Sequence, residues 1–313
     1  MLFKYIDMKN LKTIKSKPLC MISMLGLLLM TISSFAQDSV AVDVSGNKPV
    51  RSVFESTWII DNQTTLVPQK GTFEFMMNHR FGTIYNGLSD IYGIYGSGAN
   101  IRLGFNYTLL DSIGFGAFKG NVALGFGSTK NGMIQDFNLK YGLLQQTRNG
   151  RIPVSVSYYA NMAIGTDTKE EDLPNGNGSD RLSYFHQIIV SRKFNDKLSV
   201  QVAPSLSHYN VVEPALYNDH FAVAVAGRYK ISEQTSVLFN YDQPLTKHKD
   251  NNPQFNVSTG IEVATSSHQF QLFVTNYPYL VPQKNNMYNQ PNTVNEWYQD
   301  LFIGFNITRQ WNF

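Results

Sequence analysis

The sequence predicts an all-β protein, an antiparallel transmembrane β-barrel of about 12 strands. Apolar and polar residues alternate along successive segments, the joins between segments alternate between short and long, and the chain begins with an export signal. Charged residues are few, at 16%, and aromatic residues are abundant, at 13%. After the first 36 residues no segment approaches 18 consecutive apolar residues, which excludes helical membrane spans and leaves strands.

The period-two pattern is clearest in residues 100–109 and in the C-terminal segment FIGFNITRQWNF, which ends at Phe313. In the first segment the apolar residues are Ile101, Leu103, Phe105, Tyr107 and Leu109, and polar or small residues stand between them. The C-terminal segment alternates in the same way, with Arg309 as an interruption on its apolar face. Such alternation is expected of a strand that has lipid on one side and water on the other.

The connections between the predicted strands support a membrane barrel. The strands are predicted near residues 72–82, 100–109, 120–128, 133–145, 152–165, 182–194, 197–209, 219–231, 234–243, 254–265, 268–276 and 300–313. The joins after the fourth, sixth, eighth and tenth strands are tight, whereas most joins after odd-numbered strands are long and polar, as in outer-membrane barrels. The even strand count places both termini at the short-turn, periplasmic rim. The join at residues 110–120 departs from this pattern because it is too long for a periplasmic turn.

A soluble β-sandwich or lipocalin-like barrel is the competing interpretation of the alternation. Two features favour the membrane barrel. The predicted inner face is too polar for a dry core, because residues such as Arg102, Asn106 and Glu262 would each need a buried partner. The opposite face carries aromatic residues near strand ends, including Trp311 and Phe313, as the interfacial girdles of a membrane barrel require.

Residues 1–36 are predicted to be a secretory signal peptide. Five lysines precede an apolar run at residues 19–32, and small residues lead to a cleavage site after Ala36. The leader holds those lysines and one aspartate, so its removal changes the formal net charge from +3 to −1 and removes support for nucleic-acid binding. The sequence has one cysteine, Cys20, and it lies in this leader.

Residues 37–70 form an N-terminal segment with two possible placements, ahead of a barrel predicted over residues 71–313. The segment is polar at first and becomes apolar across residues 53–60. It either lies in the periplasm or folds back into the lumen as a plug. The lumen is favoured because Phe54, Trp58 and Ile59 would otherwise be exposed to water.

Several segments resemble a known family. They are residues 51–82 (RSVFESTWIIDNQTTLVPQKGTFEFMMNHRFG), 100–109 (NIRLGFNYTL), 137–146 (FNLKYGLLQQ) and 183–210 (SYFHQIIVSRKFNDKLSVQVAPSLSHYN). These are similar to a family of uncharacterised outer-membrane β-barrels of Bacteroidetes, a membrane-bound beta-barrel domain of unknown function. The resemblance covers nearly the whole mature chain. It implies a barrel in the outer membrane of a Gram-negative bacterium and supplies no catalytic residues.

No residue is predicted to be catalytic or to bind a metal or a cofactor. The histidines are scattered singly, without a metal-ligand spacing: His79, His186, His208, His220, His248 and His268. Ser207 with His208, and Ser183 with His186, supply the residue types of a lipid hydrolase, but the nucleophile-elbow motif G-x-S-x-G is absent from the sequence. We therefore expect a protein that is not an enzyme, with outer-membrane lipid hydrolysis as a third hypothesis.

The inner face predicts a polar lumen with charges of both signs. The predicted lumen-lining residues are Glu74, Arg80, Arg102, Asn106, Lys140, Arg228 and Glu262. They favour a passive channel or transporter for small solutes. The alternative is a structural or binding barrel without transport, whose loop at residues 277–299 contacts a partner or a surface glycan. The expected partners are outer-membrane lipids, the barrel-insertion machinery and an unidentified small solute.

Overall fold

The computed structural model describes residues 48–96, 98–115, 118–168, 173–290 and 300–313. The predicted signal peptide, residues 1–36, and the first part of the N-terminal segment, residues 37–47, lie outside the described residues. Among the residues described, no helix is long and apolar enough to cross a bilayer.

Two short strands precede the barrel and twelve longer strands form it. The strands are β1 (Trp58–Ile59), β2 (Asn62–Gln63), β3 (Thr72–Thr83), β4 (Asn100–Phe115), β5 (Phe118–Thr129), β6 (Ile134–Leu144), β7 (Ser155–Gly165), β8 (Leu182–Lys193), β9 (Leu198–Tyr209), β10 (Asp219–Lys230), β11 (Thr235–Pro244), β12 (Asn256–Ala264), β13 (His268–Thr275) and β14 (Phe302–Asn312). Strands β3 to β14 pair antiparallel in sequence order, and β14 pairs with β3 to close the barrel. The predicted fold class is confirmed, and each predicted strand overlaps an observed one.

Within the described residues, helical structure lies in the connections between strands. The loop after β13 carries the helix α1 (Pro282–Tyr288). Short 3-10 helices follow β3 (Ile84–Asp90), follow β5 (Asn131–Met133) and precede β8 (Gly178–Arg181). The start of β3, Thr72, pairs with the end of β14, Asn312, at the rim of the short turns. The other ends of the strands, where all of these helices lie, form the rim of the long loops.

The join at residues 110–120 is largely strand, which corrects the expected loop. β4 continues to Phe115 and β5 begins at Phe118. The extra residues are absorbed by two irregularities of the β4–β5 register, between Thr108 and Ile113. Gly114 has a left-handed φ of 121° in the same stretch. Bulges of this kind add residues without ending a strand, so they interrupt the period-two pattern and give the appearance of a loop.

The barrel exposes its apolar face and buries its polar face. On β13, Phe270 and Leu272 are 44% and 61% exposed, whereas Gln271 between them is 3% exposed. On β12, Ile261 is 50% exposed and the next residue, Glu262, is 2% exposed. A water-soluble sheet packs its faces the other way round. The distribution therefore fits a barrel with lipid outside and polar groups inside.

Arg309 lies on the apolar face, near the rim of the short turns. Its guanidinium carbon is 4.6 Å from the centroid of the Trp311 ring, and Trp311 in turn contacts Phe73, with 5.7 Å between ring centroids. Aromatic rings concentrate at the membrane interface, and an arginine stacked on such a ring keeps its charge at the headgroup level. The polar interruption in the last strand is thus part of an aromatic girdle.

Replacing Leu272 by lysine tests the assignment of the lipid-facing surface. The change places a charge in the middle of the apolar face, and we expect it to lower the free energy of unfolding by about 2–4 kcal/mol. Urea titration in phospholipid vesicles measures this. His268→Lys, on the same face of β13 but opposite Arg309, is the matched control and should cost no more than about 1 kcal/mol. Equal losses for the two variants would contradict the assignment.

Candidate functional site: an occupied polar lumen

Residues 53–66, here called the plug, lie inside the barrel. β1 and β2 pair as a small hairpin in this segment, and both strands are buried. Polar wall side chains from most of the strands contact the plug: Glu74, Arg80, Lys140, Ser157, Gln187, Ser191, Gln201, Arg228, Asn240, Asp242, Gln271, Thr275 and Asn306. The plug therefore occupies the space that the barrel encloses.

The tip of the plug hairpin is held in a strained conformation. Ile60 has a φ of 53°, in the left-handed region that β-branched residues rarely adopt. The wall holds it from both sides: its N–H donates to Gln271 Oε1 at 3.0 Å, and Asn306 Nδ2 donates to its carbonyl at 2.7 Å. Its side chain packs in an apolar cluster with Leu238 and Phe273 of the wall.

Strand β10 makes room for the plug. Its inward-facing residues Ala222, Ala224 and Ala226 are all buried. Ala226 packs against Val53 and Phe54 of the plug. Because alanine is the smallest side chain with a Cβ, this wall leaves space that larger residues would fill. The polar contacts and the small wall residues are therefore parts of one fit between the plug and the barrel.

The seven predicted lumen-lining residues all lie on the inner wall, and they are not free to line an open path. They are Glu74, Arg80, Arg102, Asn106, Lys140, Arg228 and Glu262. Each is bonded to the plug or to another wall residue. The charges that period two assigns to the lumen are therefore largely compensated in this structure.

Two of the wall arginines are paired with wall carboxylates. Arg102 donates to Asp136 of β6 through Nε at 2.8 Å and through Nη2 at 2.7 Å, which is a bidentate pair. Arg228 donates through Nε to Glu262 of β12 at 3.1 Å, and its Nη2 is 3.5 Å from Glu55 of the plug. Both arginines keep a wall partner whether or not the plug is present.

Arg80 is paired with the plug itself. Its Nη2 donates to Asp61 Oδ1 at the hairpin tip, and Thr275 Oγ1 donates to the second carboxylate oxygen at 3.1 Å. The guanidinium lies over the Phe273 ring, 4.5 Å from its centroid. Nη1 donates to the carbonyl of His79 at 3.0 Å. Within the described residues Nε is buried and has no hydrogen-bond partner.

Lys140 also depends on the plug. Its ammonium donates to the carbonyl of Thr57 at 3.0 Å and to Gln63 Oε1 at 3.1 Å, and both acceptors belong to the plug. The nearby carboxylate of Glu74 accepts hydrogen bonds from Thr57 and from Asn106. If the plug moves away, Lys140 loses the neutral oxygens that hold it.

The loop after β13 folds inward over the other end of the lumen. Gln283 of α1 donates to Asn161 of β7 at 3.0 Å, and Asn286 of α1 donates to Ser205 of β9 at 3.3 Å. Met287 is fully buried. In the alternative of a structural or binding barrel this loop contacts a partner or a glycan; its described part, residues 277–290, contacts the barrel wall. In the described residues, this loop covers the long-loop end of the lumen and the plug fills its interior.

An open polar cavity remains at the rim of the short turns. Its volume is about 610 Å³, and it lies between the N-terminal segment and strands β10 to β14. Its lining carries both charges, with Arg51, Glu55, Lys230 and Glu233 among the residues. A solute entering from this rim would reach the plug through this cavity.

Two histidines that sequence spacing treats as separate lie in contact. His220 Nδ1 is 2.9 Å from His248 Nε2, and the backbone N–H of Tyr217 donates to His248 Nδ1 at 2.9 Å. The second contact leaves Nε2 of a neutral His248 as the donor to His220. Spacing in the sequence does not reveal this contact, because one histidine lies on β10 and the other in the loop after β11. Among the described residues, no cluster of three or more metal-ligating side chains is present.

The serine–histidine pairs considered for lipid hydrolysis are not brought together. Ser207 is buried on the inner face of β9, whereas His208 lies on the outer face, 2.8 Å from Asp219. Ser183 is likewise buried, while His186 lies on the outer face of β8. Neighbouring residues of a strand point to opposite faces, so neither pair can act on one substrate.

These features define the class of protein. A closed antiparallel barrel with an apolar outer surface and a polar, hydrogen-bonded interior is a membrane β-barrel of the outer-membrane type. The chain belongs to the family described as "Membrane bound beta barrel domain (DUF5777)", whose family model matches residues 54–311. No curated protein is detectably similar to it in sequence.

Several solved structures are similar to the barrel. A structure described as "KdgM porin" has a TM-score of 0.44 and 7% identity, over 77% of this chain and 99% of that one. The COG4313 outer membrane channel from Pseudomonas putida F1 has a TM-score of 0.47 and 10% identity, over 79% and 97%. LpxR from Salmonella typhimurium has a TM-score of 0.35 and 11% identity, over 76% of this chain and 99% of that one. At these similarities no activity is transferred.

The histidine contact predicts that the loop after β11 loses stability in acid. Burial lowers the pKa of His248 below its ordinary value, so the folded loop binds fewer protons than an unfolded one. The stability of the loop should therefore fall as pH falls below about 6.5. We expect amide hydrogen exchange in residues 245–253, corrected for intrinsic rates, to lose protection between about pH 7.5 and pH 5. His248→Gln is polar but does not titrate, and an unchanged pH response in that variant would contradict the prediction.

Proposed function

We propose that the protein is a passive channel for small polar solutes, closed in this structure by the plug. The observation that carries the proposal is the chemistry of the interface between plug and wall. Amide, hydroxyl and charged groups line the wall, and water can replace their plug partners. An apolar wall would gain nothing from hydration, whereas a polar wall remains satisfied when its partners are exchanged for water.

The same interface supports a closed resting state. Each hydrogen bond exchanged for water changes the free energy by only about 0.5–1.5 kcal/mol. Many such bonds, together with the apolar cluster around Ile60, hold the plug at once. Opening is therefore infrequent unless a ligand or another trigger favours it.

The size of the barrel limits the solute. Barrels of about 16 or more strands leave wide aqueous channels, while smaller barrels are largely filled by side chains. A twelve-stranded wall without its plug would leave a narrow path lined by Arg80, Lys140 and Glu74. Passage also requires α1 to move, because it closes the end of the lumen opposite the 610 Å³ cavity.

The orientation in the membrane is part of the proposal. The short-turn rim, with both ends of the barrel, faces the periplasm, and the long loops with α1 face the outside. The aromatic last strand ending at Phe313 would be the segment that the barrel-insertion machinery engages. Outer-membrane lipids contact the apolar face.

A structural or binding barrel without transport is the second candidate. The position of the plug inside the barrel and of α1 over its long-loop end favours it, since both occupy the lumen in the part of the chain that the structure describes. The two candidates differ in one measurable property, which is whether displacing the plug allows ions to pass.

A reversible crosslink tests the channel directly. The Thr65 and Ser191 hydroxyls are hydrogen-bonded, so Thr65→Cys with Ser191→Cys should form a disulfide that ties the plug to β8. The one native cysteine, Cys20, lies in the predicted leader. In planar bilayers we expect openings from the reduced double variant and none after oxidation, with reductant restoring them.

Two further variants control this experiment. Each single cysteine variant should conduct under both conditions, because it has no partner to bond with. A variant lacking residues 48–65 should conduct more often than the intact chain. Absence of conductance from both the intact chain and this shortened variant would overturn the channel and leave the structural barrel.

A further inference from the structure

The three wall arginines differ in what they lose when the plug leaves. Arg102 keeps Asp136 and Arg228 keeps Glu262, since both carboxylates belong to the wall. Arg80 loses Asp61, which belongs to the plug. A guanidinium in a partly dehydrated lumen is poorly stabilised without an anion. An open lumen therefore has a vacant anion position at Arg80 that it does not have at the other two.

The surroundings of Arg80 are built to hold the guanidinium in one orientation. It is fully buried, and its flat face lies over the Phe273 ring. Gly304 on β14 makes this packing possible: a Cβ at that position would lie 2.6 Å from Phe273 Cε2 and 2.9 Å from Arg80 Cδ. A fixed guanidinium presents its donors to a carboxylate at low entropic cost.

Asp61 uses this position incompletely. A guanidinium binds a carboxylate best through two parallel hydrogen bonds, as Arg102 does with Asp136. Arg80 donates to Asp61 through Nη2, while its buried Nε has no partner in the described part of the chain. Asp61, as part of the hairpin, makes only one of these two contacts. A carboxylate that is free to move can take both donors.

We propose that Arg80 and Thr275 form a carboxylate-binding subsite of the lumen, which Asp61 of the plug occupies in place of a solute. This rests on the proposed function and names its solute class, small carboxylates. A solute carboxylate accepts from Arg80 Nε and Nη2 and from the Thr275 hydroxyl. The Asp61 carboxylate then leaves Arg80 and becomes hydrated, and the hairpin tip is released. The plug is thus an internal competitor of the solute.

The neighbouring groups restrict the solute to a single negative charge. Asp242 of β11 borders the hairpin tip. Its carboxylate accepts a hydrogen bond from the Asn62 amide at 2.6 Å. The same carboxylate would repel a second carboxylate on the solute. The amides of Asn240 and Asn306 also surround the hairpin tip, so the body of the solute should be polar. A hydroxy acid such as lactate has this chemistry.

Labelling of the plug tests the subsite without relying on conduction. Thr65→Cys puts a thiol on the plug at a buried position, and a water-soluble maleimide reports its exposure in the full-length protein in vesicles. Lactate should raise the labelling rate at least about fivefold, in the range of ordinary ligand coupling. Lactamide, the neutral analogue, should leave the rate unchanged. Equal effects of lactate and lactamide, or no effect of either, would overturn the proposal.

Substitution of Arg80 identifies the binding group. Arg80→Lys in the Thr65→Cys background keeps the charge but loses the paired donors, and it should abolish most of the lactate response. Asp61→Asn removes the competitor, so labelling should be fast without lactate. Retention of the full response in Arg80→Lys would overturn the subsite, provided that heat-modifiable gel mobility shows a folded barrel.

The two proposals fail in different ways. A lactate-dependent labelling response without conductance would contradict the channel proposal and support the subsite proposal. Conductance that depends on the disulfide and does not change with lactate would support the channel proposal and contradict the subsite proposal.

Discussion

The pairing of β14 with β3 closes the sheet, and the rest of the structure depends on it. In lipid an open edge would leave backbone N–H and C=O groups without partners, and no water is present there to supply them. Closure also fixes which face of each strand is inside, because a slip of one residue would reverse every side chain. With Asn306 opposite Asn78, both amides face the lumen. Phe305 and His79 then face outward, where their rings stack with 5.0 Å between centroids.

A closed wall of polar side chains creates a second requirement, since each inward group needs a partner. Wall residues satisfy part of it among themselves, as Arg102 does with Asp136. The plug satisfies much of the remainder, as Asp61 does for Arg80. The two kinds of pair have different consequences for function. Wall pairs persist when the lumen opens, whereas plug pairs must be replaced by water or by a solute.

The strands and the inward residues could be predicted because period two is a local property of the sequence. The alternation of side chains along each strand was enough to place Glu74, Arg102 and Glu262 on the inner wall. The partners of the inward residues could not be predicted. The contact between Asp61 and Arg80, for example, exists only once the hairpin enters a closed barrel. The polarity argument was also incomplete: Arg102 does have a buried partner, so a polar interior can be filled by the chain itself. The end of β4 was not predicted for a related reason. The bulges interrupt the period-two pattern of the sequence without ending the strand.

The position of Asp61 connects one ion pair to the movement of a whole segment. It directly follows Ile60, whose left-handed backbone costs of order 1–3 kcal/mol. That conformation persists because Gln271 and Asn306 hold the backbone of Ile60 while Arg80 holds the next side chain. Loss of the ion pair removes one of these restraints and lets the turn relax toward an ordinary conformation. The relaxed tip no longer matches the wall, so the hydrogen bonds of the hairpin are lost together. A local exchange of carboxylates at Arg80 is thereby converted into release of the plug.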